Sequence, residues 1–526
     1  MSSLEKCYSR SDSTLCTDSE SEIDIYTYHE QRSGRLVLDP AEAKIEFGES
    51  VALRLKLSED GSKILWPQPT DSPDDPQNWS SRRKAWQLLV ITLTSVCPEF
   101  NAGIGIPAIF GLAKEYRTTT AIINNLTSNW SIFLLGWGGI FGVMLSRKYG
   151  RLPVLFWSQV LGFAFMCGAT FAPNLPIFTA MRCLTAFFGT VPQVTGLYVV
   201  TDMYPFHLQA RKLNLWTLGF VISPFLSPFA CGYLVAKADW RWSYAVGAIY
   251  NGLICLLIMC FMEETMYDRS LQTVASKPTS TIRYRLETLI GITGYKMAKY
   301  RSSWSEVVMA PLRAVWRPHL LGILIFEACL FGLGIGINVT NIVFLENAPF
   351  HFSPYAIAGV YATPIVAAII GELLGRYLND WIMNIYIRRN NGVFEAEARL
   401  WSCHVAVLLN TCGLLMLGAS IQLNLHIAVL VIGWGLTGIG IMIGTVSVYS
   451  YCSDCFPKHQ GEISALLTLA RVLGGFSVAY YQVPWAEKRG ALETFGVEAG
   501  IVVLLFVLII PLIQIKGRWM RERFLL

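Results

Sequence analysis

Ile427–Ser450 reads IAVLVIGWGLTGIGIMIGTVSVYS, twenty-four consecutive residues without a charge. A helix rises 1.5 Å per residue, so about 20 apolar residues cross a hydrocarbon core of about 30 Å. This stretch is long enough. Its Gly433, Gly435 and Gly438 fit the spacing G-x-G-x-x-G, but no strand precedes them, so the phosphate-cradling geometry behind that motif has no place here. Small residues in a membrane helix let neighbouring backbones approach, and Gly440 with Gly444, like Gly138 with Gly142, has the spacing for that contact.

Eleven further segments of the same kind lie on either side. Together the twelve are expected at 86–110, 126–145, 153–172, 177–199, 213–235, 242–262, 319–345, 355–375, 401–421, 427–450, 463–481 and 496–515. The longest internal polar stretch, 263–318, separates the sixth from the seventh. The expected organisation is a disordered tail over 1–84, a six-helix bundle over 85–262, a central loop over 263–318, a second six-helix bundle over 319–515, and a short tail over 516–526. Composition agrees: 53% of the 526 residues are hydrophobic and 15% charged, against the roughly 25% charged of soluble chains. The first 84 residues hold 16 acids and 11 bases and no sustained periodicity, which reads as disorder.

Lysines and arginines fall unevenly on the two sides of these segments. Leaving out the far N-terminal tail and the intramembrane Arg182 and Arg471, the side carrying both termini and the central loop has 26, the other side 6. Basic residues accumulate in cytoplasmic loops, so both termini and the central loop are expected in the cytoplasm. A positive excess spread over short loops fits an anionic leaflet rather than nucleic acid. Most of the 13 cysteines sit inside apolar runs as small hydrophobes, and the lone Cys452-x-x-Cys455 reads as packing or loop chemistry. No metal-spaced histidine cluster, Ser-His-Asp arrangement or phosphate-binding loop stands in a polar segment, so catalysis, cofactor use and ATP-driven pumping are not expected.

Ionisable residues inside the spans carry the most functional information, since each is costly in lipid unless paired or facing water. Glu99 lies about 20 Å from the cytoplasmic edge of the first span, and Arg182 lies at a matching depth in the fourth. A carboxylate exchanging a proton beside that arginine, or a static pair orienting two helices, both fit. Glu327 in the seventh span and Arg471 in the eleventh repeat the pattern. The glycines 332, 334 and 336 beside Asn338 read as helix packing, or as a loosened helix lining a cavity.

Several motifs together resemble the major facilitator superfamily, in particular its fungal twelve-helix drug:proton antiporters, over about residues 74–515. Asp75-Pro-Gln-Asn78-Trp79 resembles the D-P-x-N-W signature that precedes the first helix. Tyr149-Gly150-Arg151-Leu-Pro153-Val154 resembles the loop between helices two and three. Arg182-Cys-Leu-Thr-Ala-Phe-Phe-Gly189 is similar to the fourth-helix arginine motif, with Asp202 and Arg211 following. Gly219, Ser223, Pro224, Pro228 and Gly232 match the helix-five antiporter motif G-x-x-x-G-P-x-x-G-P-x-x-G-G, with serines at Ser223 and Ser227 in place of glycines.

The resemblance implies an all-α polytopic membrane protein, two pseudo-symmetric six-helix bundles that rock about a midplane site. The loop motif usually carries an acid where this chain has Arg147, and Glu462 at the start of helix eleven is the expected replacement partner. Asp380 stands near the pseudo-symmetric position. On the helices that face the cavity in this family lie Trp130, Trp137, Tyr198, Trp216, Phe326 and Asn338. The implied activity is proton-antiport export of a small amphipathic compound by a monomer in the plasma membrane or, as an alternative, the vacuolar one. Uptake of a nutrient or organic cation by the same fold, and a sensor signalling through its acidic tail, are the competing readings.

Overall fold

The structure, a computed structural model, describes residues 39–58, 60–269, 280–346, 350–389, 395–456 and 459–523. Among them are twelve helices long and apolar enough to cross a membrane. In chain order these are α1 Ser81–Glu115, α2 Thr120–Tyr149, α3 Arg151–Thr170, α4 Leu175–Met203, α5 Leu215–Val235, α6 Arg241–Phe261, α7 Pro318–Glu346, α8 Pro354–Tyr386, α9 Ala396–Gln422, α10 Ile427–Cys455, α11 Gln460–Arg489 and α12 Ala491–Arg521. The fold is all-α; nine spans contain the segment expected from the sequence, while α3, α5 and α6 overlap theirs but stop or start one or two residues inside one expected end.

Capping residues set several starts. Ser80, Asn174 and Ser353 each accept a hydrogen bond from the third residue of the helix they open, at 3.4, 3.0 and 3.4 Å, which satisfies one of the donors orphaned at a helix N-terminus. Two sharp corners need a left-handed residue. Gly150, at φ +110, joins α2 to α3, and Gly490, at φ +99, joins α11 to α12; only glycine takes such angles at little cost.

Glycines also set the closest helix contacts. In the first half α1 packs on α5, where a side chain at Gly219 would strike Thr92 and Ser95. In the second half α7 packs on α11, where Gly332 lies against the backbone of Gly474. Helix α7 runs unbroken through Gly332, Gly334 and Gly336, so it is not loosened there: Gly334 lines a cavity, and Gly332 and Gly336 serve packing. The same holds for Gly433 against Met416 and Gly440 against the backbone of Ala406 and Asn410. The halves meet along two seams: α2 against α11, with Gly136 facing Leu469, and α5 against α8, with Gly232 facing Ala358.

The polar segments hold more structure than their composition suggests. Residues 1–38 lie outside the described residues, but 39–80, part of the tail expected to lack structure, carry helix Pro40–Phe47 and a 3-10 turn Pro76–Asn78. Ile64, Trp66 and Trp79 are buried. Asp75 is fully buried and bonded at 2.8 and 3.1 Å to Arg269, which follows α6. Burial alone would push the Asp75 carboxyl up, but the Arg269 guanidinium and the Thr70 and Gln77 amides outweigh it and hold it below its usual value. A few apolar anchors and one buried ion pair are too sparse to make a periodic pattern. The central loop likewise forms helices Thr281–Ile290, Ile292–Met297 and Trp304–Val315. We call the end of the bundle bearing this loop the loop end.

Candidate functional site

Between the two halves lies a cavity of about 60 Å³. Its wall is largely apolar, with Phe220, Phe331 and Trp434 among the lining residues. Four strongly polar side chains enter it: Glu99 and Gln193 from the first half, Asn338 and Arg471 from the second. Glu99 Oε1 accepts a 3.2 Å bond from Gln193 Nε2. Contacts close both ends of the seam, with Tyr480 of α11 donating to Asn125 of α2 at 2.5 Å on the side away from the loop end.

The expected neighbourhood of Glu99 and Arg182 is not what the chain adopts. Helix α1 breaks at Gly103–Gly105, and such a break interrupts the backbone ladder. Arg182 donates to the carbonyls of Asn101 at 2.7 Å and Ala102 at 3.2 Å, and lies 5.3 Å from the Tyr244 ring centre. It serves the backbone of α1, and among the described residues no ion pair joins it to Glu99. Arg471, from the other half, lines the same cavity as Glu99.

Arg471 makes no ion pair with Glu327 either among the described residues. It donates to the Tyr449 hydroxyl at 2.9 Å and Thr468 at 3.3 Å, with Phe331, Tyr449 and Phe220 ring centres at 4.6, 5.3 and 5.7 Å. Glu327 is fully buried, and accepts from Thr445 at 3.0 Å through one oxygen. Of the four charges expected inside the spans, Glu99 and Arg471 share one cavity, while Glu327 is buried against Thr445 and Arg182 against the backbone of α1.

Of the six cavity-lining expectations, Asn338 lines this cavity. Trp216 lines a second one of about 120 Å³ at the loop end. Tyr198 is buried at the loop end against Glu462. Trp130 and Trp137 are instead about two-fifths exposed on the outside of α2, where Trp130 packs edge-on to Phe133 and Phe476. Phe326 is buried within the second half, 6.4 Å from Phe506. Depth is readable from sequence, but a helix facing a cavity also shows most of its circumference to other neighbours.

The helix-five motif acts through its missing donors. Pro224 cannot bond the carbonyl of Phe220, and the Ser223 hydroxyl takes that carbonyl at 2.8 Å. Pro228 leaves the Pro224 carbonyl free, and Asn338 of α7 donates to it at 3.2 Å across the halves. Ser227 and Pro228 lie against Gly103 at the break in α1. The serines therefore fit the close packing expected of glycines here.

At the loop end Arg147 Nη1 meets Glu462 Oε1 at 2.5 Å. Glu462 is buried in the first turn of α11, where the helix dipole favours an acid. Its other oxygen accepts from Tyr198 at 2.8 Å, and a side chain at Gly461 would overlap the Tyr198 ring. Arg151 lies 4.3 Å from the same ring and 3.3 Å from Asp202. Glu264 accepts from the amides of Arg151 and Leu152 at 3.0 and 3.1 Å, and its carboxylate lies where a side chain on Gly150 would stand. The second half repeats the arrangement: Arg399 pairs with Asp454 at 2.9 Å and Asp380 at 3.7 Å. The side chain of Arg211 lies outside the described residues.

Sequence reasoning missed Gln193, Glu372 and Glu498. Glu372 lines the loop-end cavity, and Glu498 accepts from Gln482 at 3.0 and 3.1 Å, itself an acceptor for Thr340 at 2.6 Å. Both acids stood within three residues of an expected span end, where a charge passes as interfacial. The helices extend further, so both are buried.

A family model described as Major Facilitator Superfamily matches residues 88–479, well over half of the chain. The chain is 28% identical over 428 residues to "MFS transporter cpaT" of Aspergillus oryzae, covering 79% of this chain and 83% of that protein. It is 24% identical over 511 residues to "Efflux pump radE" of Floropilus chiversii, covering 95% and 92%. Among solved structures, the proton:xylose symporter XylE superposes with a TM-score of 0.57 at 14% identity, covering 82% of this chain and 97% of that one. The human organic anion transporter MFSD10 gives 0.54 at 16% identity, covering 81% and 99%.

Proposed function

The chain belongs to the major facilitator superfamily and is a multi-pass secondary transporter rather than an enzyme, and from that premise we propose that it exports a small amphipathic organic compound in exchange for protons. The observation that carries this reading is the cavity shared by the two halves, with a largely apolar wall into which Glu99, Gln193, Asn338 and Arg471 project. Apolar walls with a few placed polar groups suit amphipathic ligands. An ionised carboxylate in a closed apolar cavity costs several kcal/mol, and Glu99 meets a single amide there. It is placed to take a proton when the cavity closes and release it when water enters. Arg471 rather than Arg182 is then the counter-charge of Glu99, and of Glu327 as well.

Export is supported by the proline pair of α5, which brings α7 against it at mid-membrane, and by relatives named as an efflux pump and as fungal transporters. The loop end faces the cytoplasm on the lysine and arginine count, and there Arg147, Glu462 and Tyr198 hold the halves together. The chain works as a monomer in the plasma membrane. Overexpression in a fungal host should lower intracellular accumulation of at least one toxic amphipathic compound from a panel, and a protonophore should abolish the effect. Raised accumulation of a nutrient or organic cation instead would replace export with uptake.

A further inference from the structure

A groove of about 540 Å³ opens on the outside of the first half. Its walls include Phe141 and Leu145 of α2 and Trp157 of α3, which are 51, 39 and 46% exposed, so it belongs to the lipid-facing belt. The floor is where α2 and α4 touch: a side chain on Gly138 would strike the Phe187 carbonyl, and one on Gly142 would meet Val191. The roof is the central loop, through Ile290, Gly291, Ile292 and Tyr295. It is pinned at both edges. Trp157 Nε1 donates to the Ile290 carbonyl at 3.1 Å, Tyr295 stacks on Tyr149 at 6.5 Å, and Gly294 lies so close to the Tyr149 carbonyl that no side chain fits between.

The roof helices carry apolar side chains outward. Ile282, Leu286 and Ile290 form one stripe at four-residue spacing, 73, 51 and 50% exposed. Trp304, Val308, Leu312 and Trp316 form another, 43, 39, 51 and 83% exposed, which continues into the exposed Leu321 and Ile325 of α7. Residues 280–317 also hold seven Lys and Arg against two Glu, a net charge of +5. An apolar stripe with basic flanks is how a helix lies in a membrane interface, and basic juxtamembrane segments attract anionic headgroups. Lys296 and Lys299, one and four residues after the roof residue Tyr295, are exposed, and Lys296 lies 3.8 Å from Glu287.

We propose that residues 280–317 lie in the membrane interface and that the groove beneath them binds an anionic phospholipid, one acyl chain between α2, α3 and α4 and the headgroup at Lys296 and Lys299. An apolar groove within the lipid belt has no water to fill it, and leaving it empty forfeits dispersion contacts along its whole wall. The site is separate from the central cavity and independent of transport direction.

The full chain, purified and placed in bilayer discs of phosphatidylcholine with phosphatidylserine, should retain phosphatidylserine in preference to phosphatidylcholine by native mass spectrometry. Each lysine should contribute about fivefold, or ~1 kcal/mol. Lys296→Gln with Lys299→Gln should remove the headgroup preference while still retaining lipid. Leu145→Trp, at an exposed wall position, should reduce retention of both lipids without lowering the unfolding temperature in phosphatidylcholine alone. Equal retention of the two lipids by the wild type, an unchanged preference in the double glutamine variant, or a non-lipid molecule retained in the groove would overturn the proposal.

Discussion

Arg147 stands where the family's loop motif usually carries an acid, and its reversed sign makes sense beside Glu462. That carboxylate is buried and also held by Tyr198, so the pair differs from an exposed ion pair worth about 1 kcal/mol or less. Removing one partner of a buried pair strands the other, at a cost of roughly 3–5 kcal/mol. Arg147→Glu or Glu462→Arg alone should therefore lower transport at least about tenfold, ~1.4 kcal/mol. The double swap should restore only part of it, because the Tyr198 hydroxyl then faces an arginine, which accepts no hydrogen bond. Transport assays on the three variants check this, and a double variant no better than the worse single one would remove the latch. This pair was legible as two charges at matching ends of α2 and α11. Glu99 and Arg182 were equally legible as depths and yet do not pair. Depth follows from counting residues, whereas direction depends on helical phase and on the break at Gly103–Gly105, which sends Arg182 to backbone carbonyls.

At the scale of elements, the sequence located all twelve spans because lipid demands long apolar helices with internally satisfied backbones. It placed their ends less well, since polar turns continue a helix beyond the hydrocarbon, and Glu372 and Glu498 were overlooked for that reason. Helix α5 shows a further limit. Its prolines were visible, but the use of the freed Pro224 carbonyl by Asn338 required the position of α7. A neutral hydrogen bond contributes about 0.5–1.5 kcal/mol net. Asn338→Ala should loosen this contact and raise substrate-free proton leak in proteoliposomes by up to about tenfold. Asn338→Asp, which places a carboxylate against a carbonyl, should leak more. Leak unchanged in both variants would show that the contact does not seal. The described part of the N-terminal segment escaped detection for a different reason: its order rests on Asp75, Arg269 and a few buried aromatic and aliphatic side chains, too few to give a period.

For the whole molecule, the uneven lysine and arginine count, the 6 + 6 division and the pairing of α1 with α5 and α7 with α11 describe two matching bundles. The second half's Arg399, Asp454 and Asp380 mirror Arg151 and its partners. Both ends of the seam are joined in this structure, and the cavity left between the halves has a volume of about 60 Å³. Such a closed arrangement suits the step at which Glu99, Glu327 and Arg471 are cut off from water, and what they hold at that step sets what is exchanged. The decisive measurement follows proton movement in proteoliposomes with an acidic lumen when a compound excluded by overexpression is added outside. The account predicts that the wild type takes up the compound while protons leave, and that Glu99→Gln loses the proton movement at least about tenfold while compound-for-compound exchange persists. Protons moving in the same direction as the compound, or wild-type proton movement in Glu99→Gln, would contradict it.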